Sequence, residues 1–364
     1  RSFFLRIQYK KRDFLIVNRA RMEIHCDEAA LKGITGKGVG VAVLDTGIYL
    51  HEDLKGKIQG FKDFVHGKKL PYDDNGHGTH IAAMIAGSGL ASGGLLKGIA
   101  PGSSITAIKV LDHRGNGYAA DVLMGLRWIR EHRKEYGIRI INISVGSLTR
   151  REMTENSALV KGVNAAWDDG LVVVVAAGNH GPAPGTVTTP GISRKVITVG
   201  CSDDDREVEV MGSRMVDYSG RGPTNACVCK PDLVAPGCGI ISCCNEPGRY
   251  FIKSGTSMST PLVSGAIALL LEKYPSMSNK DVKLRIRDFP ITSRAGENWT
   301  KKDCWQMKYD LIICQQTAKN IVFYFSQRPE APHGSTRPFW ETGRPTSSAF
   351  TVPPNFGTIS TPII

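Results

Sequence analysis

The chain has 364 residues, 41% hydrophobic and 22% charged, with a net charge of +12. That length admits one large α/β domain with additions or two domains, and the longest apolar runs, 171–177 and 266–271, fall far short of a membrane span. The charge excludes a nucleic-acid stripe: residues 1–25 hold seven Lys/Arg against two Asp/Glu, residues 290–364 eight against five, and this excess lies in the flanks without interleaved aromatics.

Residues 1–25 mix basic and apolar side chains and are read as an N-terminal extension or propeptide remnant. A short helix is predicted over 28–31 and a strand over 40–44, Gly-Val-Ala-Val-Leu, buried on both faces. The strand ends in Asp45-Thr46-Gly47. An acidic residue at the carboxyl end of a parallel strand is where α/β folds place their sites, although Asp-x-Gly also starts plain turns. Gly36, Gly38 and Gly40 precede this strand and lack the G-x-G-x-x-G spacing, so a dinucleotide fingerprint is rejected.

His77 and His80 open a small-residue, apolar helix over 81–87. A histidine there exchanges protons near neutral pH. The alternatives are a structural histidine or a metal ligand, but the H-E-x-x-H pattern is absent. Then come a strand (105–111), an amphipathic helix (121–136), a strand (139–144) ending in Ser144-Val145-Gly146, and a helix (157–169). A β-branched strand (171–177) ends in Gly178-Asn179, and another strand covers 195–200. Alternating strands and helices predict an α/β fold with a mostly parallel sheet and right-handed crossovers. The last clear feature is Lys253-Ser254-Gly255-Thr256-Ser257-Met258-Ser259-Thr260-Pro261, which ends an extended segment and opens a buried helix over 262–274. Pro261 is expected in the helix's first turn, where its missing N–H costs nothing. A serine here is either a helix cap or a nucleophile at the positive end of a helix.

The nine cysteines are Cys26, Cys201, Cys227, Cys229, Cys238, Cys243, Cys244, Cys304 and Cys314. None shows C-x₂-C zinc spacing, and their odd number suggests free thiols in a reducing compartment, with a metal or redox cluster within 227–244 as the alternative.

Polar residues thus mark four strand ends, with His77 opening a helix, and in a parallel sheet these ends share one edge. The order Asp, His, Ser is that of subtilisin. The sequence resembles the subtilisin-like serine proteases, the subtilases (peptidase family S8). Asp45-Thr46-Gly47-Ile48, His77-Gly78-Thr79-His80 and Gly255-Thr256-Ser257-Met258-Ser259-Thr260-Pro261 match the family's three signatures, and Ala176-Ala177-Gly178-Asn179 its oxyanion segment. Ser259 replaces the final Gly of the lipase elbow G-x-S-x-G, which argues against an ordinary esterase. The finer resemblance is to AprX-like subtilases of Gram-positive bacteria, carried by Tyr218-Ser219-Gly220-Arg221-Gly222-Pro223-Thr224 and Lys230-Pro231-Asp232-Leu233-Val234-Ala235-Pro236-Gly237.

The resemblance covers roughly residues 26–290 and implies a three-layer subtilisin-like catalytic domain there. It implies a serine endopeptidase with Ser257 as nucleophile, His77 as base, Asp45 orienting the imidazole, His80 structural, and Asn179 with the Ser257 N–H as oxyanion donors. Peptide or protein substrates would bind extended along Ser144, Val145 and Gly146, with the S1 pocket between these and Ala177 and Gly178 and its floor within 181–190. No cofactor is required for the chemistry. The resemblance leaves a structural calcium possible, because Asp53 matches a calcium ligand of secreted members. The enzyme is expected to act as a monomer in the cytoplasm, secretion being the alternative, without nucleic-acid or membrane partners. A catalytically impaired peptide-binding relative and an acyl-transferring variant are the functional alternatives. Residues 291–364 lack the family's closing pattern, and from Arg328 onward the Pro-, Ser-, Thr- and Gly-rich composition predicts disorder.

Overall fold

The computed structural model describes residues 20–21, 26–147, 154–210 and 212–288. Apart from Ala20 and Arg21, the expected extension 1–25 and the expected disordered tail 291–364 lie outside the described residues.

A short helix α1 (Cys26–Leu31) leads to β1 (Gly40–Asp45) and β2 (Ile58–Asp63). Then follow α2 (His77–Ala86), β3 (Ser104–Lys109), α3 (Ala119–His132), β4 (Ile138–Ile143) and α4 (Ala158–Asp168). After β5 (Val172–Ala176) and β6 (Ile197–Cys201) come a small hairpin, β7 (Val208–Val210) and β8 (Ser213–Met215), and then β9 (Leu233–Ala235). A second hairpin, β10 (Ile240–Cys243) and β11 (Tyr250–Lys253), leads into α5 (Thr256–Lys273) and α6 (Asn279–Asp288).

Seven parallel strands form the central sheet in the order β2-β3-β1-β4-β5-β6-β9, flanked by helices. Every residue of β1 and β5 is buried, as their unbroken Val, Ala and Leu runs require of strands covered on both faces. From β1 the chain crosses to the edge strand β2 and returns through β3 on one side, and β4, β5, β6 and β9 follow in turn on the other. The strand order therefore reverses between the neighbours β1 and β4. In open α/β sheets the crevice at such a reversal, beyond the strands' carboxyl ends, is where ligands bind. Asp45 ends β1 there, and Ser144 follows β4.

The short strands β7, β8 and β10 carry no sequence signal, and three further elements depart from the sequence reading. The edge strand β2 carries mixed burial, so neither a buried run nor clean alternation marks it. The strand β9 has three residues, too few for a periodic signal. Helix α5 begins at Thr256 rather than at the apolar run, which makes Pro261 its sixth residue and places it beyond the first turn.

Candidate active site

Strand β1 delivers Asp45 fully buried. Its Oδ1 accepts from the Thr46 N–H at 2.8 Å and lies 2.7 Å from His77 Nδ1, while Oδ2 has no hydrogen-bond partner. A carboxylate on Nδ1 keeps the proton on that nitrogen and leaves Nε2 of neutral His77 as an acceptor. His77 is the first residue of α2. Asp73 fixes that helix end: Oδ1 accepts from Thr46 Oγ1 (2.8 Å), the Asn75 N–H (3.1 Å) and the Gly76 N–H (2.8 Å). Its Oδ2 accepts from the N–H (2.9 Å) and hydroxyl (2.6 Å) of Thr79. Burial alone would raise the Asp73 carboxyl, but the hydrogen bonds from Thr79, Gly76 and Thr46 bring it below the usual carboxylate range. Gly78 lets the helix approach the β1 turn, since a Cβ there would fall 2.2 Å from the Gly47 carbonyl oxygen. His80 is fully buried with Nε2 3.2 Å from the Phe251 carbonyl; burial pushes it down to about 3, so it stays neutral.

Ser257 is the second residue of α5. The residue before the helix, Gly255, has φ of 141°, a conformation that L side chains rarely adopt. It passes close to Asn179, in the turn after β5. Asn179 Oδ1 accepts from both the N–H (2.9 Å) and the hydroxyl (3.0 Å) of Thr256. The obligate donor Thr256 N–H fixes which end of the Asn179 amide is oxygen. The Met258 N–H goes to the Gly255 carbonyl at 2.9 Å, and the Ser257 N–H, as a first-turn amide, has no intrahelical acceptor.

Pro261 has a consequence for the nucleophile's backbone. In an α-helix the Ser257 carbonyl would accept from residue 261, which has no N–H. The Ser144 hydroxyl takes that place, donating to the Ser257 carbonyl at 3.2 Å. Ser144 is itself held by Asn142 Nδ2 at 2.9 Å, and Asn142 Oδ1 accepts from Ser264 at 2.8 Å. The Ser257 hydroxyl donates to the Ser144 carbonyl at 2.7 Å and so does not donate to His77, the partner expected from the triad.

His77, Ser144, Val145, Asn179, Ser257 and Met258 line one cleft of about 510 Å³, to which Arg114, Glu209 and Lys253 add charge. Gly146 and Gly178 flank Thr188: a Cβ on either would fall within 2.4 Å of a Thr188 side-chain atom. Thr188 Oγ1 donates to the Ala177 carbonyl at 3.3 Å, and Ser147 bridges Thr189 through two 2.9 Å backbone bonds. Ser144, Val145, Gly146, Ala177, Gly178 and Asn179 therefore surround one part of the crevice. Behind it lies Lys109, wholly buried, with Nζ donating to the Thr46 carbonyl (2.6 Å), Asp74 (2.7 Å) and the Leu111 carbonyl (2.8 Å). The sequence assigns no role to Asp73, Lys109, Asn142, Thr188 or Thr256; of these, Asp73 carries a signal in an Asp-Asp-Asn-Gly run before a helix, and Thr256 lies within the serine signature.

Asp53 does not offer a calcium cage. Its Oδ1 accepts from the Ala91 N–H (2.8 Å) and its Oδ2 from the Tyr250 hydroxyl (2.9 Å) and the Cys243 thiol (3.4 Å). Its metal-capable neighbours, His51 and Cys243, bring nitrogen and sulfur, whereas calcium takes oxygen ligands.

Comparison with known proteins shows the family. A model of the subtilase family matches residues 36–301. The chain is 41% identical over 307 residues to serine protease AprX of Bacillus subtilis (strain 168), covering 79% of this chain and 68% of that protein. It is 36% identical over 258 residues to subtilisin Savinase of Lederbergia lenta, covering 71% and 85%. Among solved structures, sphericase superposes with a TM-score of 0.59 at 33% identity, covering 70% of this chain and 83% of its own. The S41 psychrophilic protease gives 0.60 at 32% identity, with the same coverage. The chain belongs to the subtilase family of serine proteases.

Proposed function

We propose that this serine protease is an endopeptidase that cleaves extended peptide segments through an acyl-enzyme on Ser257. The observation that carries the reading is the 2.7 Å contact from buried Asp45 to His77, which lines the same crevice as Ser257 and Asn179. Asp45 holds the tautomer in which His77 Nε2 is a base. The Ser257 hydroxyl, now on the Ser144 carbonyl, turns to Nε2 when an incoming peptide N–H competes for that carbonyl as an added strand. Exchanging one hydrogen bond for another makes this turn nearly neutral, about 1 kcal/mol either way. Ser257 Oγ then attacks the scissile carbonyl while His77 takes its proton. The oxyanion is met by Asn179 Nδ2, whose Oδ1 is committed to Thr256, and by the Ser257 N–H at the positive end of α5. His77 protonates the leaving amine and afterwards activates the water that releases the acyl group.

Ser144, Val145 and Gly146 bind the substrate backbone, and Ala177, Gly178 and Thr188 shape the pocket beside it. The chemistry uses side chains and water, without a cofactor. The substrates are proteins or peptides, and the enzyme works as a monomer. A reducing cytoplasm is supported by the free thiols of Cys201, Cys238, Cys243 and Cys244. Among the described residues, no helix is long and apolar enough to cross a membrane.

Digestion of casein tests the reading, with Ser257→Ala alongside. The wild type is expected to release internal fragments whose new termini lie along the whole casein chain, and the variant none. Trimming from one end alone would refute the endopeptidase, and equal cleavage by the variant would refute the nucleophile.

A further inference from the structure

Two thiols that are 37 positions apart in sequence meet behind the nucleophile's helix. Cys201 ends β6, and Cys238 follows β9, the neighbouring strand, in which Ala235 is the register partner of Cys201. Both cysteines are buried. Asp203 joins them: one donor atom from each of Cys201, Asp203 and Cys238 lies within 4.8 Å of the others. Cys201 Sγ is 3.1 Å from Asp203 Oδ1, and the Tyr218 hydroxyl sits 3.2 Å from Cys201 Sγ and 3.0 Å from Cys238 Sγ. Asp203 is held in place through Oδ1, which accepts from the Gly237 N–H (2.7 Å) and the Cys238 N–H (3.1 Å). Its Oδ2 is buried and has no hydrogen-bond partner.

We propose that Cys201, Cys238 and Asp203 form a binding site for a thiophilic divalent cation of the zinc type, with Tyr218 supporting the sulfurs. Tetrahedral zinc at ordinary bond lengths places its sulfur and oxygen ligands about 3.6–3.8 Å apart, which fits inside the 4.8 Å spread of these three donors. Asp203 supplies the oxygen ligand: deprotonation of Cys201 frees the Oδ1 lone pair that its thiol now claims, Oδ2 is claimed by no donor, and a solvent molecule completes the fourth position. Uptake converts both thiols to thiolates, releases two protons to solvent, and leaves the site with one net negative charge. The Tyr218 hydroxyl then donates to one thiolate, as partners of metal ligands commonly do. Of the three ligands, half-buried Asp203 lies nearest to solvent. The site differs from the cluster within 227–244 that the sequence leaves as an alternative to free thiols, because it pairs Cys238 with Cys201 from β6.

The site touches the catalytic segment through backbone. Gly237, whose N–H binds Asp203, accepts the Gly255 N–H at 2.9 Å, and Gly255 precedes α5. An ion that ties Asp203 to both sulfurs therefore braces the loop on which Ser257 is set.

The test uses the full chain carrying Ser257→Ala, which prevents self-digestion, reduced and stripped of metal. Titration with Cd²⁺ is expected to give a thiolate-to-cadmium ultraviolet band that saturates at one ion per chain, and Zn²⁺ is expected to raise the unfolding midpoint. Affinity should fall at least a hundredfold in the Cys201→Ser/Cys238→Ser double variant and stay unchanged in Cys243→Ser. Absence of a saturable band, or a band that survives the double variant, would overturn the proposal. So would isolation of Cys201 and Cys238 as a disulfide that binds no ion. If the double variant does not fold, zinc X-ray absorption on the unsubstituted thiols decides: two sulfur neighbours support the site, and one or none overturns it.

Discussion

Removing the Ser144 hydroxyl should destabilise the protein strongly, and giving residue 261 an N–H should relieve part of that loss. Ser144→Ala strips the Ser257 carbonyl of its donor and leaves one N–H of Asn142 unpaired. Asn142 is fully buried and Ser144 nearly so, so water does not replace the acceptor that the Asn142 N–H loses. The orphaned Asn142 N–H costs about 1–3 kcal/mol and the lost bond at the half-buried Ser257 carbonyl about 1 kcal/mol, giving a loss of about 2–4 kcal/mol. Pro261→Ala restores the ordinary helical donor to the Ser257 carbonyl, so the two substitutions should couple. The double variant should be more stable than the sum of the singles predicts, by about 1 kcal/mol, the net value of one hydrogen bond. Urea unfolding of all four combinations in a Ser257→Ala background reads this without autolysis. Additivity within about 0.3 kcal/mol would refute the claim that Ser144 substitutes for the donor that Pro261 lacks.

Four further outcomes follow. Asn179→Leu should lower kcat with little change in KM; the expected loss, about 10²–10³, is the range known for this donor in subtilisin rather than a value worked from this structure, and an unchanged kcat would remove Asn179 from the oxyanion site. His80 makes stability depend on pH. Its folded pKa of about 3 lies below the unfolded value of about 6.5, so the unfolded chain binds the extra proton first as pH falls. Its contribution is full above pH 6.5 and is lost between about 6.5 and 3, and His80→Gln should flatten the unfolding free energy between pH 7 and 5; an unchanged slope would contradict this. Lys109→Met should destabilise by about 3–5 kcal/mol in thermal or urea unfolding, because the buried Thr46 and Leu111 carbonyls lose their donor; a loss below about 1 kcal/mol would show that water replaces the ammonium. Gly78→Ala should cut kcat at least tenfold by driving α2, and His77 with it, off the Gly47 carbonyl, and wild-type kcat in a folded variant would contradict it.

The parts of the site legible in the sequence are those at the ends of elements with strong local signals. Asp45 closes a fully apolar strand, Asn179 follows a β-branched one, and His77 opens a helix of small residues. The boundaries of these strands and helices lie within a few residues of those expected, because burial on both faces leaves little choice of residue. Long-range pairings were not legible. The chain Ser264–Asn142–Ser144–Ser257 joins residues more than a hundred positions apart, and each taken alone is an ordinary polar residue. Buried Lys109 reads as a surface charge until the fold supplies its three acceptors. Pro261 misled for a related reason: the apolar run starts at Leu262, but Gly255 lets the helix begin at Thr256, six residues earlier. The hydroxyl direction of Ser257 depends on the Ser144 carbonyl across the crevice, which no local pattern encodes.

The central claim, that Asp45 and His77 activate Ser257, is tested most directly by labelling with a fluorophosphonate and mapping the adduct by mass spectrometry. A single adduct on Ser257 is expected in the wild type, with labelling slowed by orders of magnitude in His77→Ala. An adduct on Ser144, Ser254 or Ser259, or no adduct on folded protein that binds peptides, would contradict it.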